Sequence, residues 1–235
     1  MFANKPPLQK FGALQALDFP PATPISEPTT IVMLHGYGAD AYDLASLREE
    51  LKAPTSARWV FAQGPKEVEI GPGYTGRAWF AIDLAAHERA AHEGVDLSYA
   101  DRRPPGINEA RDQVLSFLKA LNVPLNQLIL GGFSQGAMLA VDVAMTLPQP
   151  VKGVILLSGT LADQKGIQSR APHLKGLKFF QSHGQRDQVL PFSMAQALYQ
   201  ELTNAGWDGA WCDFGGGHEI PRPVVRDLTN FLRTL

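Results

Sequence analysis

The sequence predicts an α/β domain built on one mostly parallel sheet with helices on both faces. From Thr30 onward, short apolar runs alternate with stretches of helical periodicity, the pattern of strands joined by helical crossovers. Several of these runs, such as Ile31 to Leu34 and Val154 to Leu157, are apolar throughout, as strands covered on both faces are. The 235 residues show no internal repeat and no break in composition, so residues 1–235 are expected to form a single domain.

Taken in order, residues 1–28 hold prolines at positions 6, 7, 20, 21, 24 and 28, which argues for an edge hairpin or extended loop and against a helix. Thr30 to Leu34 reads as a buried strand leading into His35-Gly36-Tyr37-Gly38-Ala39-Asp40. Ala41 to Lys52 reads as a helix, with Leu44, Leu47 and Leu51 at helical spacing. Arg58 to Ala62 is the next strand, and Ile107 to Leu121 is a helix with Val114, Leu115, Leu118 and Leu121 on one face.

The stretch 63–106 between them is too rich in glycine and proline for a simple connection, and loops of that length are usually functional or disordered. Its Tyr74, Trp79, Phe80 and Tyr99 argue against disorder and suit either the wall of an apolar pocket or a plug over the core. His87 and His92, among Ala and Glu residues, read as a solvated helix face and not as a metal site.

Leu128 to Leu130 is a strand, and Ala137 to Met145 a helix. Beyond it come strands at Val151 to Leu157, Leu177 to Ser182 and Ala210 to Phe214. Helices are expected at Phe192 to Asn204 and Pro221 to Leu235, with Pro191 and Pro221 placed where a proline starts a helix well.

Composition excludes several classes. A formal charge of −2 gives no basic footprint for nucleic acid. No apolar run approaches the ~18 residues that span a bilayer. The N-terminal Met-Phe-Ala-Asn-Lys-Pro-Pro lacks the apolar core of a secretory signal, and the one cysteine, Cys212, has no internal partner, so cytoplasmic residence is the expectation. Cys212, beside Trp211 within a strand, reads as a small core residue.

The chemistry centres on Gly132, Ser134 and Gly136. This G-x-S-x-G lies where the period changes from strand to helix, the setting of a nucleophile elbow. A serine hydroxyl is a weak nucleophile and needs a histidine to take its proton, with a third group fixing the imidazole. In a parallel sheet such groups sit beyond the strands' C-terminal ends. Asp187 and His218 both follow strands, and the order Ser134, Asp187, His218 is the chain order of α/β-hydrolases. Asp163 is a rival acid and His183 a rival base, although shaping the acid's turn suits His183 better. His173 gives no signal beyond a surface residue.

Acyl transfer also needs donors aimed at the developing oxyanion. Two backbone N–H groups are on offer. Gln135 supplies one at the start of the elbow helix, and Tyr37 supplies the other from the glycine loop after the first central strand.

The segments Leu34 to Asp40, Arg77-Ala78-Trp79-Phe80, Gly132 to Gly136, Ser182-His183-Gly184 with Asp187, and Gly217-His218-Glu219-Ile220 together resemble the carboxylesterase, lysophospholipase and acyl-protein thioesterase family. The resemblance runs from about Thr30 to the C-terminus. It implies an α/β-hydrolase fold, a Ser134, Asp187, His218 triad, oxyanion donors at Tyr37 and Gln135, and no cofactor or metal. It also implies that Trp79 and Phe80 lie near the acyl pocket. Tyr37 stands where the family often has leucine, and residues 83–105 follow no family pattern.

The expected activity is hydrolysis of small carboxylic esters or thioesters, most simply as a carboxylesterase, with lysophospholipid and acylated protein as alternative substrates. A homodimer is compatible with this reading. The competing class is a binding protein that keeps the fold without turnover, which would have no need of serine, acid and base together.

Overall fold

The computed structural model describes residues 5–22, 24–26, 28–51, 56–82 and 99–235. His87 and His92 lie outside the described residues, as do Lys52 and most of the stretch after Asp83. The strands are β1 (Gln9–Phe11), β2 (Leu14–Phe19), β3 (Thr30–Leu34), β4 (Arg58–Gln63), β5 (Lys66–Gly71), β6 (Tyr74–Ala78), β7 (Leu128–Phe133), β8 (Gly153–Leu157), β9 (Lys178–Gly184) and β10 (Asp208–Phe214). Helices α1 (Leu47–Glu50), α2 (Ile107–Leu121), α3 (Gln135–Ala144), α4 (Gln164–Arg170), α5 (Phe192–Asn204) and α6 (Arg222–Leu232) alternate with them.

Among the described residues, eight strands form one sheet in the order β1-β2-β4-β3-β7-β8-β9-β10. Every pairing from β4 to β10 is parallel, while β1 and β2 are antiparallel at the edge. The proline-rich N-terminal region therefore contains an edge hairpin, turned at Gly12, whose φ of 56° a side chain would resist.

Successive residues of each strand point to opposite faces. Val32, Leu34, Leu128 and Leu130 enter the core under α2 to α5, while Ile31, Met33, Ile129 and Ile155 enter the core under α1 and α6. Helices cover both faces, as the uninterrupted apolar runs require. Helix α3 is buried along its whole length, Asp142 included. No described helix is long and apolar enough to cross a membrane.

Two expectations are corrected. Residues 41–46 form turns, and among the described residues of this stretch only Leu47–Glu50 is helical. The side chains of Asp40 and Gln63 take the N–H groups of Tyr42 and Ala41 at 2.8 and 2.7 Å. The next bonds are of the tighter i to i+3 kind, from Asp43 to Asp40 and from Ala45 to Tyr42. Leu44, Leu47 and Leu51 are buried all the same. The stretch 63–106 also contains regular structure, because β5 and β6 form an antiparallel hairpin.

Candidate active site

Ser134 sits between β7 and α3 with φ 55° and ψ −118°, a conformation that non-glycine residues rarely hold. Its N–H donates to the Leu157 carbonyl at 2.8 Å, and its carbonyl accepts from Ala137 at 3.0 Å. The glycines around it are sterically required. A Cβ at Gly132 would lie 2.3 Å from the Gly136 carbonyl carbon, and one at Gly136 would lie 2.1 Å from the Leu34 oxygen.

Asp187 and His218 follow β9 and β10, and the ladder between those strands continues beyond their ends. Gln185 N–H donates to Phe214 O at 2.8 Å and Arg186 N–H to Gly216 O at 2.9 Å. This brings the two side chains together, with His218 Nδ1 2.7 Å from Asp187 Oδ2. Asp187 Oδ1 accepts the N–H groups of Val189 and Leu190 at 2.8 and 2.9 Å. Burial alone would raise the Asp187 pKa, but the bonds from His218, Leu190 and Val189 outweigh it and hold the group below the usual carboxylate value. The His218 ring packs on Phe133 with centroids 4.8 Å apart, so the imidazole lies against the residue that precedes Ser134.

The loop after β3 runs beside the serine, since a Cβ on Gly36 would be 3.4 Å from Ser134 Cβ. The β5-β6 hairpin grips this loop. Gly38 N–H donates to Arg77 O and Arg77 N–H to Ala39 O, both at 2.8 Å. The approach is so close that a Cβ at Gly76 would fall 1.9 Å from the Gly38 oxygen.

The profile of the phospholipase/carboxylesterase family matches residues 23–235. The chain belongs to this family.

Among its relatives in that family is acyl-protein thioesterase 1 of Mycosarcoma maydis, 29% identical over 209 residues that cover 82% of this chain and 83% of the relative. A probable carboxylesterase of Oryza sativa subsp. japonica is 26% identical, covering 86% of this chain and 76% of its own. The crystal structure of esterase PE8 superposes with a TM-score of 0.78 at 26% identity, covering 94% of this chain and 98% of that one. A carboxylesterase from Mesorhizobium loti, at 19% identity and a TM-score of 0.73 over 97% and 99% of the two chains, shares the α/β-hydrolase fold.

The rival residues of this phospholipase/carboxylesterase-family chain are engaged elsewhere. Asp163 caps α4 by accepting from Gly166 N–H and binds Arg103 Nη1 at 2.6 Å. His183 is buried, with Nε2 2.9 Å from Leu190 O and 3.3 Å from Asp187 Oδ2. That ties it to the turn from Asp187 to Leu190. His173 bonds the carbonyls of Arg170 and Leu147. Cys212 is buried, and desolvation together with its bond to Asp227 pushes the thiol up to about 11, so it stays protonated.

Trp79 and Phe80 belong to the core. They are 1% and 0% exposed and pack into the core cluster that also holds α2 and α3 residues. Their backbone is held by a side chain whose contacts the sequence did not reveal. Gln135 Oε1 accepts Trp79 N–H at 2.9 Å, and its Nε2 donates to Phe80 O at 2.8 Å. Trp79 Nε1 donates to His35 O at 2.9 Å, tying the indole to the glycine loop. No group of three or more potential metal ligands occurs among the described residues.

Proposed function

We propose that this chain is a serine carboxylesterase or thioesterase that works through an acyl-enzyme on Ser134. The observation that carries this reading is the His218 ring, bonded to Asp187 at 2.7 Å and packed against Phe133 next to the serine. The carboxylate keeps the proton on Nδ1, which leaves Nε2 bare to accept the hydroxyl proton of Ser134. The serine oxygen attacks the acyl carbonyl, and His218 returns the proton to the departing alcohol or thiol. Water, deprotonated by the same imidazole, then releases the acid. The N–H groups of Tyr37 and Gln135 take the charge on the carbonyl oxygen, and Gln135 lies in the first turn of α3, whose dipole favours an anion.

The test is hydrolysis of p-nitrophenyl acetate and octanoate together with labelling by a fluorophosphonate. Turnover and a single mass shift at Ser134 are expected. Absence of both would overturn the proposal.

The acyl-protein thioesterase relatives favour thioesters as the preferred substrates. Comparison of kcat/KM for matched octanoyl thioesters and oxygen esters decides between the two leaving groups.

A further inference from the structure

The Gly36 carbonyl and the Tyr37 N–H belong to one peptide unit, and no peptide bond among the described residues is cis. In a trans unit these two groups point in opposite directions, so whatever holds the carbonyl also aims the N–H. Glycine at position 36 leaves this unit free to turn over. A Cβ at this position would sit 3.2 Å from the Phe133 ring, a tight contact, and 3.4 Å from Ser134 Cβ. An external restraint is therefore required.

We propose that His35 is a positioning residue whose ring fixes the Gly36–Tyr37 peptide and so aims the Tyr37 N–H at the oxyanion. His35 is 1% exposed and its two ring nitrogens have different partners. Nε2 lies 2.9 Å from Gly64 N–H, a group that can only donate, so Nε2 is the bare nitrogen. The proton is consequently on Nδ1, which donates to Gly36 O at 2.7 Å. Ala39 N–H reaches the same carbonyl at a longer 3.3 Å. The bond from the Trp79 indole to His35 O holds the preceding peptide. Burial lowers the His35 pKa more than the Gly36 bond raises it, which keeps the ring neutral and Nε2 able to accept.

This inference rests on the proposed role of Ser134, and the experiment separates the two. Asn places its amide nitrogen where Nδ1 stands and can keep the bond to Gly36 O. Gln places its amide oxygen near Nε2 and can keep only the bond from Gly64. His35→Gln is expected to lower kcat for an acetyl ester by about 10²–10³-fold, the usual cost of one oxyanion donor, with KM nearly unchanged. His35→Asn should stay within about tenfold of wild type, and affinity for a trifluoromethyl ketone, which forms a tetrahedral oxyanion, should follow kcat in both variants.

Equal kcat losses in the two variants, or losses that track Tm, would return His35 to a packing role. If His35→Gln does not fold, His35→Asn decides alone: retained kcat supports the proposal, and a loss beyond about 10² at unchanged Tm overturns it. Failure of the serine hydrolase reading would show differently, as a wild-type protein that neither turns over esters nor reacts with the fluorophosphonate.

Discussion

His218 and Asp187 meet through a 2.7 Å bond from Nδ1 to Oδ2, with the carboxylate side chain fully buried and the imidazole 17% exposed. The carboxylate is thus held by His218 and by the backbone of its own turn, with His183 Nε2 3.3 Å away, while part of the imidazole stays exposed. Asp187→Asn is expected to lower kcat by about 10⁴, the loss found when an amide favours the wrong tautomer in a serine protease triad. Asp163→Asn should lose stability, through the Arg103 bond and the α4 cap, and retain kcat. Steady-state kinetics and thermal melts on both variants check the ranking.

Ser134→Ala should abolish turnover and fluorophosphonate labelling, with a loss on the order of 10⁶ in kcat. Its fold should persist, because the change removes one oxygen and relieves nothing in the core. Circular dichroism beside the kinetics separates lost chemistry from lost structure.

Trp79→Ala is expected to cost about 3–5 kcal/mol of stability, as for other buried aromatics. The ring lies in the core, so acetyl and octanoyl esters should lose kcat/KM by similar factors. A selective loss for the octanoyl ester would mean that the acyl chain reaches the indole.

Gly136→Ala should prevent the elbow from forming, since the new methyl would overlap the Leu34 carbonyl at 2.1 Å and the clash is with backbone. Low soluble yield, or a lowered Tm with no labelling at Ser134, is the expected outcome. A stable, active variant would contradict the packing described above.

Stability should fall on mild acidification. Desolvation lowers the pKa values of His35 and His183 from the ordinary 6.5, so the unfolded chain takes up protons before the native one does. Their contribution is intact above 6.5 and erodes as pH falls from 6.5 toward their folded values. Asp187 acts in a lower window, since its pKa is held below 3.8 and its stabilisation is lost only as pH falls through that folded value. Tm measured against pH should decline below about 6.5 and decline less steeply in His183→Gln.

Much of this arrangement was legible in the sequence because it is local. The elbow is five consecutive residues, and Asp187 and His218 each follow an apolar strand. The β5-β6 hairpin was not legible, because Lys66, Glu67 and Glu69 interrupt its apolar pattern and Gly71-Pro72-Gly73 reads as loop. The helix expected at residues 41–52 failed because buried leucines at that spacing also fit consecutive turns. The bonds from Trp79 to Gln135 and from Gly64 to His35 join residues 56 and 29 positions apart, and no periodicity carries such information. The burial of Trp79 and Phe80 likewise has no signal in their local sequence.

The ladder that carries on past β9 and β10 has a consequence for engineering. Gly184 and Gly217 approach so closely that a Cβ on the first would lie 2.1 Å from the oxygen of the second. The spacing of Asp187 and His218 is therefore built into main chain, so residues 178–218 would have to be exchanged as one piece. A graft from a relative that carries only one of the two loops would break the register of both. The elbow meets this segment through the ring of Phe133 against His218, so an exchanged segment would have to keep that contact.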